Sequence, residues 1–470
     1  MRAHLALLAL LHGCSLVVHP LQFADGNDGG ASDACSGVER CNGIDDDCDG
    51  LTDEGDLSAE CAAGPGVLSG VCSSGRCVLT CDAGRDDCNG ESADGCEAAL
   101  DSIDTCGSCS TRCAWACGAT GCNDPVSVSV GNQHACAVRS DATVVCWGAN
   151  DQGQLGDGTY DDSGRPVLVR SLNNVLSIAA GAGHTCAVQR SGATWCWGAN
   201  DQGQLGGGVA SPNSNLPIIV IGTDSVEQVS AGFALSCARR SNGQVVCWGD
   251  ASSGKLGDGA GSTDRVSPST PVSGIDDAID VDSWNDYSCA VRATGEVWCW
   301  GLVHEEFTAN TYTSPSRVGG MPSAASVATG ANHLCIRDQA GRPRCLGWNP
   351  AGALGDGTTG DSSDTFVPSL LGESVVEVSA GTEFTCARTP SRNVYCWGRG
   401  SNVGTGSTLD RHEPVALSSL EGATSIAAYS SSACVIKEDG VYCWGANSRG
   451  QLGDGTTNSS LIPLRVLSPE

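Results

Sequence analysis

From residue 125 onward, apolar positions come in short bursts separated by polar and glycine-rich turns. In one stretch, residues 177–181 read SIAAG, 184–188 read HTCAV and 193–198 read ATWCWG; QGQLGGG and a proline-led segment follow. Each burst has the length of a strand. None keeps helical spacing for more than about two turns. The pattern predicts groups of four short strands.

The groups recur. Cysteines pair as Cys136 with Cys146, Cys186 with Cys196, Cys237 with Cys247, Cys289 with Cys299, Cys335 with Cys345, Cys386 with Cys396 and Cys434 with Cys443. The first-cysteine intervals are 50, 51, 52, 46, 51 and 48 residues. Seven copies of a four-stranded unit predict an all-β chain in which each unit is one blade of a seven-bladed β-propeller over residues 125–470. A spacing of ten sets the two cysteines opposite each other in a hairpin. Cys136 against Cys146 then pairs Val138 with Val144, and an odd loop remains around Asp141. The spacing of nine in the last unit requires an even loop at Glu438-Asp439. Each pair is expected to be a disulfide within its blade.

Trp147, Trp197, Trp248, Trp300, Trp397 and Trp444 directly follow the second cysteines, on the opposite strand face. A large ring there can fill the wedge between blades. Trp348 comes two residues later than this rule, which predicts a bulge in the fifth unit. Unit four lacks the LGDG found in units one, three, five and seven. These glycines read as turn formers. His134, His184 and His333 recur with the repeat, so a structural hydrogen-bonding role is expected. Residues 126–130 and 463–467 are expected to share a blade and close the ring.

Composition adds the environment. The chain carries 54 acidic against 25 basic side chains, a formal charge of −29. Residues 25–124 hold 21 Asp/Glu and only 4 Arg. No basic patch appears, so nucleic acid is excluded as a partner. With 29 cysteines, and no short CxxC grip in the repeat pairs, disulfides in an oxidising compartment fit better than zinc. The start, MRAHLALLALLHGC, has a basic residue and a short apolar run, as a signal peptide does. Leu11-His12-Gly13-Cys14 resembles a bacterial lipobox. That resemblance implies a lipoprotein signal at residues 1–13, lipid on Cys14, a linker over 14–34, and membrane contact through the lipid alone.

Residues 35–124 read as an acidic, disulfide-rich, largely irregular module. In CNGIDDDCDGLTDEGD, counting from Asp45, carboxylates fall at loop positions 1, 3, 5, 9 and 12: Asp45, Asp47, Asp49, Asp53 and Asp56. Gly50 sits at position 6, and Leu51 can offer its carbonyl at position 7. This is the spacing of a calcium loop, with Glu54 available in place of a glutamate at position 12. The stretch also resembles a metal-binding motif of bacterial surface proteins. Calcium or another divalent cation is expected here, and no cofactor in the propeller.

ACAVRSDATVVCWGANDQGQLGDGT resembles the repeat of the regulator of chromosome condensation (RCC1-like) family, and the likeness runs over residues 126–468. It implies a seven-bladed propeller. That family's repeats lack the cysteine pair, a departure suited to an exported chain. Its nuclear member exchanges guanine nucleotide on a small GTPase, and a secreted bacterial member inhibits β-lactamase through loops on one face. The expected function is an exported, surface-anchored, non-enzymatic scaffold binding an extracellular or envelope protein or glycan. A glycan-processing or other hydrolytic enzyme, or an exchange factor, ranks behind it. Function is sought where one blade departs from the others. In the loops before the first cysteines, those departures are Phe233, Trp284, Asp286, Tyr287, Glu383, Phe384 and Tyr429, expected to form a partner-binding face.

Overall fold

Seven antiparallel sheets follow one another from residue 125, their innermost strands being Pro125–Val130, Val175–Ala180, Val226–Ala231, Ala278–Ser283, Ala324–Thr329, Glu377–Ala380 and Ser425–Tyr429. The computed structural model describes residues 37–62, 64–88, 95–96, 98–100, 106, 108, 113, 115, 117–118, 121–260, 264–268, 270–303, 311–320, 322–360 and 362–469. The leader, Cys14 and the linker lie outside these residues. Of the described residues, those up to Thr80 together with Gly95 form one compact unit; residues 81–88 and those from Cys96 onward form the second.

Blade two shows the plan: Val175–Ala180, His184–Gln189, Thr194–Gly198 and Ser214–Ile219 pair in order from the centre outward. Cys186 faces Cys196 in this ladder, and Cys136 faces Cys146 with Val138 opposite Val144 in blade one. Cys237 likewise faces Cys247, Cys289 faces Cys299, Cys335 faces Cys345 and Cys386 faces Cys396. In blade seven Cys434 faces Cys443, and Lys437 pairs with Gly440 around a two-residue loop. All seven pairs are disulfides, with Cα atoms 4.0–4.1 Å apart. In blade three the outer strand shrinks to two bridges, Val246 to Pro271 and Gly249 to Arg265.

The six regular tryptophans are fully buried between blades. Each indole donates its N–H to a loop carbonyl of the preceding blade, as Trp197 does to Gln154 at 2.8 Å and Trp147 to Gln451 at 3.0 Å.

Two expectations need correction. The chain ends do not share a blade: Pro125–Val130 belongs to the first sheet and Ser460–Arg465 to the last. The ring closes side by side instead, by the Trp147–Gln451 bond and by Gly455 N donating to Gly164 O at 2.9 Å. Nor does Trp348 mark a bulge peculiar to blade five: the register shift between Cys345 and Gly347 against the outer strand recurs at the same place in blades two, four, six and seven. The pairing of Cys335 with Cys345 and Leu334 with Leu346 is unbroken. Leu346 fills the buried tryptophan position, and Trp348 is 40% exposed.

Within the second unit, a cysteine-rich segment precedes blade one. It is held by Cys81–Cys96, Cys106–Cys117 and Cys113–Cys122. Trp115 anchors it, edge-on to Trp147 at 6.3 Å and donating Nε1–H to Leu467 O at 2.9 Å.

Candidate functional site

In the first unit, short-range hydrogen bonds shape the acidic loop. Gly50 N donates to Asp45 Oδ2 at 3.0 Å, Asp49 N to Asp47 Oδ1 at 3.1 Å, and Leu51 N to Asp49 Oδ1 at 2.9 Å. Alternate carboxylates thereby turn inward. Oxygens of Asp45, Asp47 and Asp49 lie within 4.8 Å of one another, as do those of Glu39, Asp47 and Glu54. Asp45 Oδ1 and Glu54 Oε2 are buried without a hydrogen-bond partner. Burial, with the charges of Asp49, Glu39 and Asp47 nearby, holds the Glu54 carboxyl above its usual range.

The other loop residues stand elsewhere. Asp53 Oδ1 accepts from Asn42 N and Gly43 N at 2.8 and 2.9 Å, and Asp56 Oδ1 accepts from Ser58 N at 3.1 Å. The Leu51 side chain is exposed. Glu39, which the sequence reading passed over, accepts from the N–H groups of Asp46, Asp47 and Asp53 and so holds the loop's curvature. Converging hard oxygens with orphaned lone pairs suit a calcium-sized ion.

In the second unit, the repeat cysteines are tied up in blade disulfides, and Cys299 borders a small recess of about 80 Å³ with Tyr287, Val303 and Leu346. Cys247, Cys396 and Cys443 are buried inside their blades, and they line neither the central cavity nor the loop hollow described below. The same holds for the cysteines that face them, Cys237, Cys386 and Cys434.

The seven residues expected on one exposed face divide. Phe233 is 56% exposed. It borders a hollow of about 280 Å³ with Asn132, Gly183, Ala199, Asp201 and Gln202, all from loops of the first three blades. Asp286 is taken by Lys255, whose buried Nζ reaches Asp286 Oδ1 at 2.8 Å and Asp250 Oδ2 at 2.5 Å. Glu383 pairs with Arg399.

Trp284, Tyr287, Phe384 and Tyr429 are buried, which corrects the expectation that they meet solvent. Tyr287 and Phe384 occupy the position that holds His134, His184 and His333 in other blades, a position turned towards the next blade. Tyr287 Oη accordingly donates to Gly330 O at 2.8 Å. Trp284 and Tyr429 stand where the other blades have Gly131, Gly181, Gly232, Gly330 and Gly381. A Cβ on Gly131 would stand 2.3 Å from Gly181 O, so glycine lets neighbouring loops touch. Trp284 and Tyr429 stack on each other from blades four and seven, with centroids 4.1 Å apart and an interplanar angle of 27°.

That stack ends a central cavity of about 170 Å³ lined by the inner strands. Asp282 projects from blade four. Its Oδ2 accepts from Thr329 N and Oγ1 at 2.7 and 2.8 Å, and its Oδ1 from Ser230 Oγ at 3.1 Å. Burial pushes its carboxyl up to about 6, against the pull of the Thr329 bonds and with help from Asp280. Asp280 accepts from Gln228 Nε2 at 2.6 Å and Val327 N at 2.9 Å. The sequence reading missed both aspartates. Comparing repeats at these two positions exposes them, because other blades place Ser127 and Ser129, Ser177 and Ala179, or Ser326 and Ala328 there.

The recurring histidines are inter-blade struts. His134 Nε2 meets Thr185 Oγ1 at 2.8 Å, and Thr185 Oγ1 donates to Gln154 O at 2.9 Å. The hydroxyl's proton is thus committed, so His134 donates from Nε2 and is neutral. His184 with Ser236 and His333 with Thr385 repeat the arrangement at 2.9 Å. Burial lowers His134 to about 3, with His184 nearby adding to the effect, and lowers His184 and His333 to about 4.

Residues 161–469 match the family model of the RCC1-like domain, and residues 126–154 match that of the regulator of chromosome condensation (RCC1) repeat. The chain is 33% identical over 258 residues to the human (Homo sapiens) E3 ubiquitin-protein ligase HERC2, covering 51% of this chain and 5% of that protein. It is 30% identical over 257 residues to the ultraviolet-B receptor UVR8 of Arabidopsis thaliana, covering 51% of this chain and 57% of that one. It therefore spans less than two thirds of either relative. The crystal structure of Kap60 bound to yeast RCC1 (Prp20) shares the fold, with a TM-score of 0.59 at 22% identity over 68% of this chain and 83% of that one.

Proposed function

The chain belongs to the RCC1-like propeller family, and on that premise we propose that it is a non-enzymatic binding scaffold that takes a protein or glycan partner on the loops of its first three blades. The carrying observation is Phe233, a large apolar side chain 56% exposed beside a hollow of about 280 Å³. An aromatic at the rim of a recess on rigid, disulfide-stapled strands is a suitable anchor for a partner. Yeast RCC1, which shares this fold, has been crystallised with Kap60 bound to it.

The scaffold works outside the cytosol. In support, five further disulfides accompany the seven blade staples among the described residues, a density suited to an oxidising compartment. Lipid on Cys14 would tether it to an envelope surface. The acidic loop takes calcium through Asp45, Asp47, Asp49 and Glu54; the ion supplies cross-linking of a loop that otherwise holds four carboxylates together. Replacing Phe233 by alanine tests the reading: partner affinity falls at least tenfold with an unchanged melting temperature. Unchanged affinity would move the contact elsewhere.

A further inference from the structure

We propose a binding site for a small organic acid, a carboxylate on an apolar body, in the groove between the outer strands of blades six and seven. Those strands are Arg411–Ala416 and Ser460–Arg465. The groove has a volume of about 510 Å³, and Arg411, Thr405, Val415, Leu417, Ile462 and Pro463 are among the residues that line it.

The repeat supplies the first argument. In blade three, Arg265 faces Gly249 and donates to Asp258 Oδ2 from Nε at 3.2 Å and from Nη2 at 2.8 Å. Arg411 holds the same place in blade six, facing Gly398. Asp258 follows Gly257, the glycine under Trp300. The matching glycine of blade six is Gly404, under Trp444, and the residue that follows it is Thr405. Blades one, five and seven also carry an aspartate here, Asp157, Asp356 and Asp454. Blade six keeps the arginine of blade three and lacks its carboxylate.

The atoms at the groove wall supply the second. Arg411 Nε and Thr405 Oγ1 are both buried without a hydrogen-bond partner, and no ion pair engages Arg411 among the described residues. An orphaned guanidinium N–H beside an orphaned hydroxyl calls for an acceptor, and a carboxylate from outside can take the part that Asp258 plays in blade three. The other wall decides what the carboxylate is attached to. Val415, Leu417, Ile462 and Pro463 offer apolar surface, and Ile462 is 52% exposed. An inorganic anion would leave that surface in water, whereas an apolar body covers it. The groove also falls in the size range of small-molecule sites. It shares no residue with the acidic loop or with the hollow beside Phe233, so it stands or falls separately from the scaffold reading.

The test titrates the full chain with hexanoate, acetate, 1-hexanol and inorganic phosphate, followed by calorimetry. Hexanoate is expected to bind at one site, at least about tenfold more tightly than any of the other three, since only it brings both the charge and the tail. Arg411→Gln should weaken hexanoate by about tenfold or more. Thr405→Asp restores the pairing seen in blade three, so it should abolish hexanoate binding without lowering the melting temperature. Should Arg411→Gln fail to fold, Thr405→Asp decides alone. No binding of hexanoate, an affinity indifferent to Thr405→Asp, or acetate or phosphate bound as tightly as hexanoate overturns the proposal.

Discussion

The indole of Trp197 lies against the bare Cα of Gly156 in the preceding blade, so close that a Cβ there would stand 2.7 Å from Nε1. The same contact joins Trp248 to Gly206, Trp300 to Gly257, Trp397 to Gly355, Trp444 to Gly404 and Trp147 to Gly453. This explains two departures that look unrelated in the sequence. Unit four lacks the LGDG glycine, and unit five lacks the tryptophan that would rest on it, having Leu346 instead. Both belong to a single junction, between blades four and five.

Trp197→Ala should therefore destabilise the propeller by about 3–5 kcal/mol. Gly156→Ala should cost about 1–3 kcal/mol, because the new methyl overpacks against the indole. Trp348→Ala, at a position 40% exposed, should stay within about 0.5 kcal/mol. Chemical denaturation of the three variants checks the ranking. Equal effects at Trp197 and Trp348 would break the wedge account.

The staples can be read chemically. Peptide mapping without reduction should recover Cys186 linked to Cys196, Cys237 to Cys247, Cys386 to Cys396, Cys434 to Cys443, and likewise for the other three pairs. Replacing one pair by serines should cost no more than about 2–3 kcal/mol, since a ten-residue loop loses little chain entropy on closure. Links between blades would contradict the hairpin register.

Much of this was legible in the sequence because the repeat writes it seven times. Cysteine spacing set the hairpin register, and Trp following Cys set the wedge. What failed was local uniqueness. Trp284 and Tyr429 are unusual in their loops, and unusual was read as exposed. Each is buried by the other, and partners 145 residues apart leave no trace in a local pattern. Asp280 and Asp282 hid in an ordinary strand alternation. Trp115, outside the repeat, had no second copy against which to be read.

Stability should fall as the medium becomes acidic. His184 is neutral in the fold, its value lowered to about 4 by burial, whereas the unfolded chain titrates near 6.5. Between those values the unfolded state binds the extra proton, so acid favours unfolding. From pH 7 to pH 5 the cost is about 2 kcal/mol for this histidine. His184→Gln, which keeps a donor for Ser236, should lose about that much less over the same interval. Parallel pH profiles for the two proteins would refute the strut assignment.

The acidic loop should bind calcium with a stoichiometry that loses one on combining Asp45→Ala with Asp49→Ala. Asp56→Ala should leave its affinity within about threefold, because that carboxylate accepts from Ser58 N and belongs to neither of the carboxylate groups that converge among the described residues. Calorimetry on the full chain measures both. Intact binding in the double variant would place the ion elsewhere.

The scaffold reading meets its most direct test at Phe233. A photo-reactive residue placed there, on protein displayed by intact cells, should give one dominant cross-linked species. The same residue at Leu409, which is 69% exposed on the same propeller, should not give it. Equal cross-linking at the two positions, or none at Phe233, would contradict a partner seated on the first three blades.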